Sequence, residues 1–313
     1  MSLRFRIEPD AVPRPRTSVT FSGGVSRLVA SARCHRALSR GGKRSRHITS
    51  LFATLAALAV SAPIAAQPAK RPVLTVCADP NNLPFSNQAE QGFENKIAAL
   101  IAKDLGIGLT YVWWAQRRGY VRNTLGSDMC DLWPGVAKGV DMMATTAPYY
   151  RSTYVFVTRA DRPLQGLSFD DSRLKRLRIG VQMVGNDAMN TPPTHALAAR
   201  GITDNVHGYM LYGNYVEPNP PAKIIDGVAK GDIDVAIAWG PMAGYFAKIS
   251  PVKLRIEPVN PTSDADQWPM RYAIAMGVRK GQTEFKAKID EILQKEQPAI
   301  ARILSDYGVP RAP

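Results

Sequence analysis

From residue 73 onward, short apolar runs alternate with segments whose apolar residues recur at helical spacing, and this alternation is what most constrains the fold. The apolar runs predict strands at 73–78, 109–114, 130–136, 149–159, 177–182, 205–211, 234–239, 253–259 and 271–278. The segments of helical period predict helices at 93–105, 118–125, 191–200, 221–230, 242–249, 283–294 and 298–307. Such an alternation predicts an α/β protein with largely parallel sheets.

Two polar connections, at 159–166 and 260–268, divide this α/β region. We expect a first lobe that begins with residues 72–159, a second lobe at 160–262, and a return to the first lobe at 263–313. This order places a cleft between the two lobes, and the loops at the carboxyl ends of the strands should face it.

The first 66 residues differ in composition from the rest and are interpreted as a leader. They hold 11 of the 40 basic residues and two of the 26 acidic ones, which leaves 29 basic and 24 acidic residues in 67–313. The formal net charge of +14 therefore belongs mainly to the leader, and the case for a nucleic-acid partner weakens.

A basic run at 43–46, an apolar core at 48–60 and small residues up to Ala66 indicate a signal peptide that is cleaved near Ala66. The alternative is an amphipathic or buried helix. The apolar core is too short to cross a bilayer core of about 30 Å, and no later segment is long and apolar enough to do so. We therefore expect a periplasmic protein whose mature form is not inserted in the membrane.

Export changes how the three cysteines are interpreted. Cys34 leaves with the leader, and Cys77 and Cys130 remain as an even pair in an oxidising compartment. The pair indicates a disulfide, with two buried free thiols as the alternative. Because Cys77 falls late in one predicted strand and Cys130 at the start of another, parallel neighbours would need an offset to bring them together.

Motifs for metal, cofactor or catalytic chemistry are scarce in the mature chain. His195 and His207 lack a His, Asp or Glu neighbour at metal-ligand spacing, and Asp232 and Asp234 lack the rest of a calcium loop. The chain has no Gly-x-Ser-x-Gly, no Walker-type loop and no complete dinucleotide fingerprint. We expect no metal site, no cofactor and no enzymatic activity.

Several motifs across residues 72–310 resemble those of the periplasmic solute-binding proteins of the polar-amino-acid receptor type. They are the strand and turn at 74–80, Pro84-Phe85-Ser86, Gly92-Phe93-Glu94, the segment 146–150 and the segment 231–236. The resemblance implies a two-lobed type 2 periplasmic binding protein fold, in which each lobe is a mostly parallel sheet flanked by helices. It does not by itself identify a ligand.

Two departures from the receptor pattern concern the ligand. Where those receptors carry an arginine that clamps the carboxylate of an amino acid, this chain has Lys138-Gly139, and a lysine is a poor substitute for a planar two-pronged donor. Where they carry an aspartate for the ligand's ammonium group, this chain has Trp239, and an indole cannot form that ion pair. A free amino acid is therefore a doubtful ligand.

A narrower family is similar over longer segments, at 76–87, 148–157, 238–241 and 307–310. These segments resemble the quinoprotein-dehydrogenase-associated binding proteins, the J proteins of methanol dehydrogenase gene clusters. The resemblance implies a non-enzymatic accessory protein that assists maturation or activation of a PQQ-dependent methanol dehydrogenase of the calcium or lanthanide type, with the enzyme's cytochrome c as a further candidate partner. The alternative is the solute receptor of an importer for a small organic ligand, such as an aromatic or quinone-like acid.

Candidate residues for a ligand or partner cleft follow the predicted strands, and each has a structural alternative. The polar candidates are Asp79, Asn81 and Asn82, for which turn formation is the alternative, and Gly185, Asn186 and Asp187, for which a plain turn is equally compatible. The aromatic candidates, with core packing as the alternative, are Phe85, Trp133, Tyr149, Tyr150 and Trp239. Arg151 is a candidate for binding an anion or for pairing with an acid. Glu94 has helix-dipole and capping roles as its favoured interpretation, with acid–base catalysis as the alternative.

Overall fold

The computed structural model describes residues 72–183, 190–212, 215–264 and 268–311, so the predicted leader at 1–66 lies outside the described residues. The strands are β1 (Val73–Ala78), β2 (Asn81–Asn82), β3 (Ser86–Asn87), β4 (Gly108–Trp113), β5 (Trp133–Ala137), β6 (Ala144–Thr145), β7 (Tyr150–Arg159), β8 (Ile179–Met183), β9 (Val206–Met210), β10 (Val235–Trp239), β11 (Leu254–Pro258), β12 (Ser263–Asp264), β13 (Trp268–Pro269) and β14 (Arg271–Val278). The helices are α1 (Phe93–Leu105), α2 (Tyr120–Asn123), α3 (Pro192–Ala199), α4 (Lys223–Lys230), α5 (Gly240–Ile249), α6 (Thr283–Lys295) and α7 (Gln297–Asp306).

The two parts of the ten-residue strand β7 pair with different strands. Its first part, 150–153, pairs with β14, and the remainder pairs with β10 on one side and with β11 on the other. The resulting main sheet has the order β5-β14-β7-β10-β8-β9. A two-stranded sheet of β1 and β4 lies beside it, linked through a bridge between Val76 and Leu132.

The expectation of mostly parallel sheets is wrong for this arrangement. Only the pairs β1–β4, β8–β9 and β8–β10 are parallel among the named strands, whereas β7 and β14 run antiparallel to each of their neighbours. The parallel pairs are those whose strands are joined through helices α1, α3 and α4, which carry the chain back to the same end of the sheet. The antiparallel pairs β7–β10, β7–β11 and β14–β7 instead join strands that run in opposite directions.

Most other elements lie near their predicted positions, and β14 spans the predicted 271–278. The predicted helix at 118–125 is a single turn, α2, between Gly119 and Thr124, followed by a 3₁₀ turn at Leu125–Ser127. The predicted strand at 130–136 begins three residues later, because residues 130–132 bend toward β1: Cys77 N donates to Leu132 O over 2.8 Å. The predicted connection at 260–268 contains the short antiparallel pair β12 and β13.

Helix α1 shows how the local sequence sets an element that borders the site. Asn95 Oδ1 accepts hydrogen bonds from Gly92 N (3.1 Å) and Asn87 N (3.2 Å), which satisfies donors at the helix start. Gly106, with φ 68°, ends the helix in the left-handed conformation. Phe93, Ile97 and Ile101 recur at helical spacing and are all fully buried.

One hydrophobic core contains residues that precede β7 in the sequence and residues that follow it. It joins residues of α1 to residues of α4, α5, α6 and α7; among its members are Phe93, Ile97, Ile224, Val228, Phe246, Ile292 and Ile300. A second cluster packs beneath β8 and β10, around Phe156, Phe169 and Val181. A third surrounds Cys77 and Cys130. The disulfide between these two cysteines is present, with the Cα atoms 5.5 Å apart, because Cys130 precedes β5 rather than lying within it.

Candidate functional site

The turn after β1 is organised by the buried carboxylate of Asp79. Its Oδ1 accepts from Asn81 N (2.8 Å), and its Oδ2 accepts from Gln116 N (2.7 Å). Burial raises the pKa of Asp79, and the two backbone donors and nearby Arg117 lower it in part. The first of these hydrogen bonds is the local side-chain-to-backbone bond typical of turns, and the second fixes the chain that follows β4.

Asn81 links this turn to the segment between β9 and α4. Its Nδ2 donates to Glu217 O over 2.7 Å, and its Oδ1 accepts from Asn219 N over 3.3 Å. Nearby, the guanidinium carbon of Arg117 lies 5.6 Å from the ring centre of Tyr215, within the range of a cation–π contact. The turn after β1 is therefore tied to a segment that follows β9, more than 130 residues further along the chain.

The side chain of Asn82 is buried, and only one of its two polar atoms has a hydrogen-bond partner among the described residues. Its Nδ2 donates to Gln116 Oε1 over 3.1 Å, while its Oδ1 is buried and has no hydrogen-bond partner among the described residues. Phe85 follows in the same loop and packs against Phe93, with ring centres 5.3 Å apart. Asn82 thus has an unused acceptor in the loop, whereas Phe85 contributes to the core.

Glu94 lies in the first turn of α1, and its side chain is 5% exposed. Its carboxyl group lies against the backbone of Gly135, such that a Cβ atom added to Gly135 would be 2.1 Å from Glu94 Oε1. Burial raises the pKa of Glu94 to about 8. The carboxyl group is therefore mostly protonated at neutral pH. The capping of α1 is done by Asn95, not by Glu94.

Four tyrosines surround this carboxyl group closely enough that a negative charge on it would raise their pKa values. They are Tyr120, Tyr149, Tyr150 and Tyr212, and in each case burial is the larger cause of the raised pKa. Trp133 packs on Tyr120 with ring centres 4.8 Å apart, and Tyr149 packs on Tyr150 at 4.9 Å. The arrangement is a protonated acid among aromatic rings.

Two hydrogen-bonding groups in this aromatic cluster are buried without a partner among the described residues, the hydroxyl of Tyr120 and the indole Nε1 of Trp133. The hydroxyl of Tyr149 lies near the backbone of Gly135, which lowers its pKa in part. A buried donor without a partner costs about 1–3 kcal/mol. We call Tyr120, Trp133, Tyr149 and Glu94 the Glu94 cluster. Its chemistry suits a small polar guest or ordered water.

Trp239 ends β10 at the position where α5 begins. Its ring packs against Tyr154 and Tyr272, with ring centres 5.3 and 5.9 Å away. The surroundings of Trp239 are thus aromatic, and its uncharged indole cannot form an ion pair with the ammonium group of a ligand. Lys138 follows β5, where its backbone N donates to Ala273 O over 2.9 Å.

Arg151 is exposed on β7, and residues Gly185, Asn186 and Asp187 lie outside the described residues. His195 stacks on Trp268 with ring centres 3.8 Å apart and an interplanar angle of 7°. In the described ranges, no group of three or more His, Cys, Asp or Glu residues could hold a metal ion. None of the helices in those ranges has the length and apolar character that crossing a bilayer requires.

The structure brings together three predicted cleft residues, Trp133, Tyr149 and Tyr150. Glu94, for which the sequence favours a role at the helix start, lies in the same cluster. Three further residues of the site, Gln116, Tyr120 and Tyr212, carry no sequence pattern that indicates them. A tyrosine in a single helical turn or in a loop carries no periodic signal, so only the tertiary structure reveals these positions.

The sequence matches the model of a known protein family over most of its length. Residues 74–308 match the bacterial extracellular solute-binding proteins, family 3, and the chain belongs to this family. Among curated relatives, it is 36% identical to Protein MoxJ of Methylorubrum extorquens over 252 residues, which cover 77% of this chain and 82% of the relative. It is 31% identical to Protein MoxJ of Paracoccus denitrificans over 273 residues, which cover 82% and 95% of the two chains.

A solved structure supports the same fold. The periplasmic binding protein XoxJ from Methylobacterium extorquens AM1 is 34% identical, with a TM-score of 0.63 over 77% of this chain and 99% of that one. The chain therefore has the mixed α/β fold of the type 2 periplasmic binding proteins and is a homologue of the MoxJ and XoxJ proteins.

Proposed function

We propose that this chain is a non-enzymatic periplasmic accessory protein that binds a PQQ-dependent methanol dehydrogenase and assists its maturation or activation. The similarity to the MoxJ proteins supports the association with the enzyme. It agrees with the resemblance of the sequence to the J proteins of methanol dehydrogenase gene clusters. Export through the predicted signal peptide at 1–66 places the chain in the compartment of such an enzyme.

The observation that carries the proposal is the aromatic packing of Trp239. Amino-acid receptors of this fold carry an acid here, whereas the indole of Trp239 packs between Tyr154 and Tyr272. With Lys138 in place of a clamping arginine, neither end of a zwitterion has its usual ion-pair partner. An aromatic surface without such a clamp suits a protein partner, since aromatic residues are enriched in protein interfaces.

The proposal assumes two lobes, formed by residues 72–159 with 263–313 and by residues 160–262. The position of β7 supports this division, because β7 pairs with strands of both parts. The contacts of Asn81 with Glu217 and Asn219 would then connect the two lobes across the cleft.

Affinity capture tests the proposed partner. The tagged full-length protein, expressed with its leader, is expected to retain the methanol dehydrogenase from a periplasmic extract, and deletion of its gene is expected to lower dehydrogenase activity. Adding the protein back should restore that activity. Failure to retain the enzyme, together with unchanged activity in both the deletion and the add-back, would contradict the proposal.

A second candidate function is that of a solute receptor for a small aromatic or quinone-like acid. The unpartnered donors of Tyr120 and Trp133 favour it, because a ligand could satisfy them. A thermal-shift screen of small organic acids distinguishes the two functions: a receptor should show a strong rise in Tm with one compound that is lost in Trp133→Phe, whereas an accessory protein should show no rise that depends on Trp133.

A further inference from the structure

A pocket of about 400 Å³ opens between the start of β7 and helix α7. Two arginines, Arg151 and Arg311, line it together with the amide of Gln297. The remaining wall includes apolar side chains, among them Pro148, Ala301 and Leu304. The pocket therefore combines two positive charges with an apolar surface.

Neither guanidinium group in this pocket forms an ion pair with a carboxylate among the described residues. No Asp or Glu is among the described residues that line the pocket. Asp290, which contacts Ala147 next to the lining residue Pro148, accepts from Ala147 N over 2.6 Å and from Lys286 Nζ over 2.7 Å. The positive charge of the pocket is thus not neutralised by its own walls.

The backbone around Arg311 is held in place. Ser152 Oγ donates to Pro310 O over 2.8 Å, and the side chain of Val309 is buried. Arg311 Nη2 donates to Ala301 O over 3.1 Å. Gln297, on the same helix as Ala301, donates from Nε2 to Tyr149 O over 3.0 Å. The guanidinium of Arg311 and the amide of Gln297 are therefore held in place, which lowers the entropic cost of binding a ligand.

We infer that this pocket binds a small organic oxyanion whose carboxylate or phosphate pairs with Arg151 and Arg311 and whose apolar body lies on Ala301 and Leu304. A guanidinium group is suited to two-pronged hydrogen bonding of an oxyanion. The volume lies in the range of small-molecule sites, so a bare inorganic anion would fill only part of it. This inference does not depend on the proposed dehydrogenase partner.

Calorimetric titration of the full chain at low ionic strength tests the inference, with benzoate, acetate and inorganic phosphate as probes. Benzoate is expected to bind more tightly than acetate, because its ring covers the apolar wall, and benzamide, which has the same shape without the charge, should not bind. Arg151→Gln and Arg311→Gln should each weaken benzoate binding by about tenfold or more, the loss expected for a charged hydrogen bond.

Arg302→Gln is the matched control, since Arg302 is exposed on the same helix α7 but does not line the pocket. Its benzoate affinity should stay within about twofold of wild type, and thermal unfolding should show that all three variants fold. Phosphate binding that equals or exceeds benzoate binding would overturn the organic-ligand part of the inference. Benzoate binding that survives in the Arg151→Gln/Arg311→Gln double variant, or no binding by wild type, would overturn the site itself. Reduced capture of the dehydrogenase by the double variant, without benzoate binding by wild type, would assign the arginines to an acidic group of the protein partner instead.

Discussion

Glu94 is deeply buried and has no charged partner among the described residues, and this decides its protonation state. The positive end of the α1 dipole favours a negative charge near Glu94, but the burial of the side chain outweighs it and raises the pKa to about 8. The position of Glu94 at a helix start is evident from the sequence. Its burial is not, because the covering residue Gly135 lies 41 positions further along the chain and approaches only in the folded structure.

We expect Glu94→Gln to change how stability depends on pH. A carboxyl group with a pKa of about 8 when folded and an ordinary value when unfolded binds more protons in the folded state, so stability falls as pH rises from about 5 to 8. Glu94→Gln removes this loss and should be more stable than wild type at pH 8.5, by the order of 3 kcal/mol. Urea unfolding of both proteins at pH 5, 6.5 and 8.5 measures the difference. A difference that is constant across this range would contradict the raised pKa.

Gly135 and Gly139 form a matched pair for testing the contact with Glu94. Both have positive φ, 77° and 89°, but an added Cβ would meet Glu94 Oε1 at Gly135 and nothing within 4 Å at Gly139. Gly139→Ala should cost about 1 kcal/mol through backbone strain alone. Gly135→Ala should cost about 2 kcal/mol more, through the clash. Equal losses of unfolding free energy for the two variants would show that the carboxyl group moves aside freely.

At the scale of secondary structure, the sequence predicts each strand and helix better than it predicts which strands pair. The apolar pattern locates β14 to the residue, because burial of successive side chains depends mainly on the strand itself. The direction in which β7 and β14 pair depends on the path of the whole chain, and this is why the expected parallel order is wrong there. Short elements such as β2 and β3 are held by loop hydrogen bonds rather than by an apolar pattern.

The link between the turn after β1 and the segment before α4 gives a prediction at this scale. Asn81→Ala removes the hydrogen bonds to Glu217 O and from Asn219 N, so amide exchange should increase in residues 215–222. The free energy of unfolding should fall by about 1–2 kcal/mol. Asn87→Ala is the control, because the side chain of Asn87 bonds only locally to Gln91 among the described residues. Faster exchange at 215–222 in the control variant, or none in Asn81→Ala, would contradict the link.

At the scale of the whole molecule, one buried core is shared by elements from both proposed lobes. Side chains of α1, which precedes β7 in the sequence, and of α4, α5 and α6, which follow it, meet in a single buried cluster. The aromatic contacts of the site rest on this core, since Phe93 packs edge-to-face on Tyr150 with ring centres 6.1 Å apart. The proposed lobes therefore share one core, although two smaller clusters lie outside it.

Because the core is shared, we expect chemical unfolding to be a single transition. Far-ultraviolet circular dichroism, which reports the helices, and tryptophan fluorescence should give the same midpoint. Phe246→Ala, in α5, should lower that common midpoint, with a loss of about 3–5 kcal/mol for an aromatic ring removed from a core. Two separate midpoints for the two signals would show that the parts on either side of β7 unfold independently.

The order of β5, β14 and β7 in the main sheet has a consequence for when the molecule acquires its structure. The strand between β5 and β7 is β14, which is made more than a hundred residues after both of its neighbours. A nascent polypeptide that ends before residue 271 has a gap at this position and cannot complete its hydrogen bonding. We therefore expect the part of the sheet that joins β5 to β7 to form only after residues 271–278 have been synthesised, which delays final folding and so favours export of the chain before it folds.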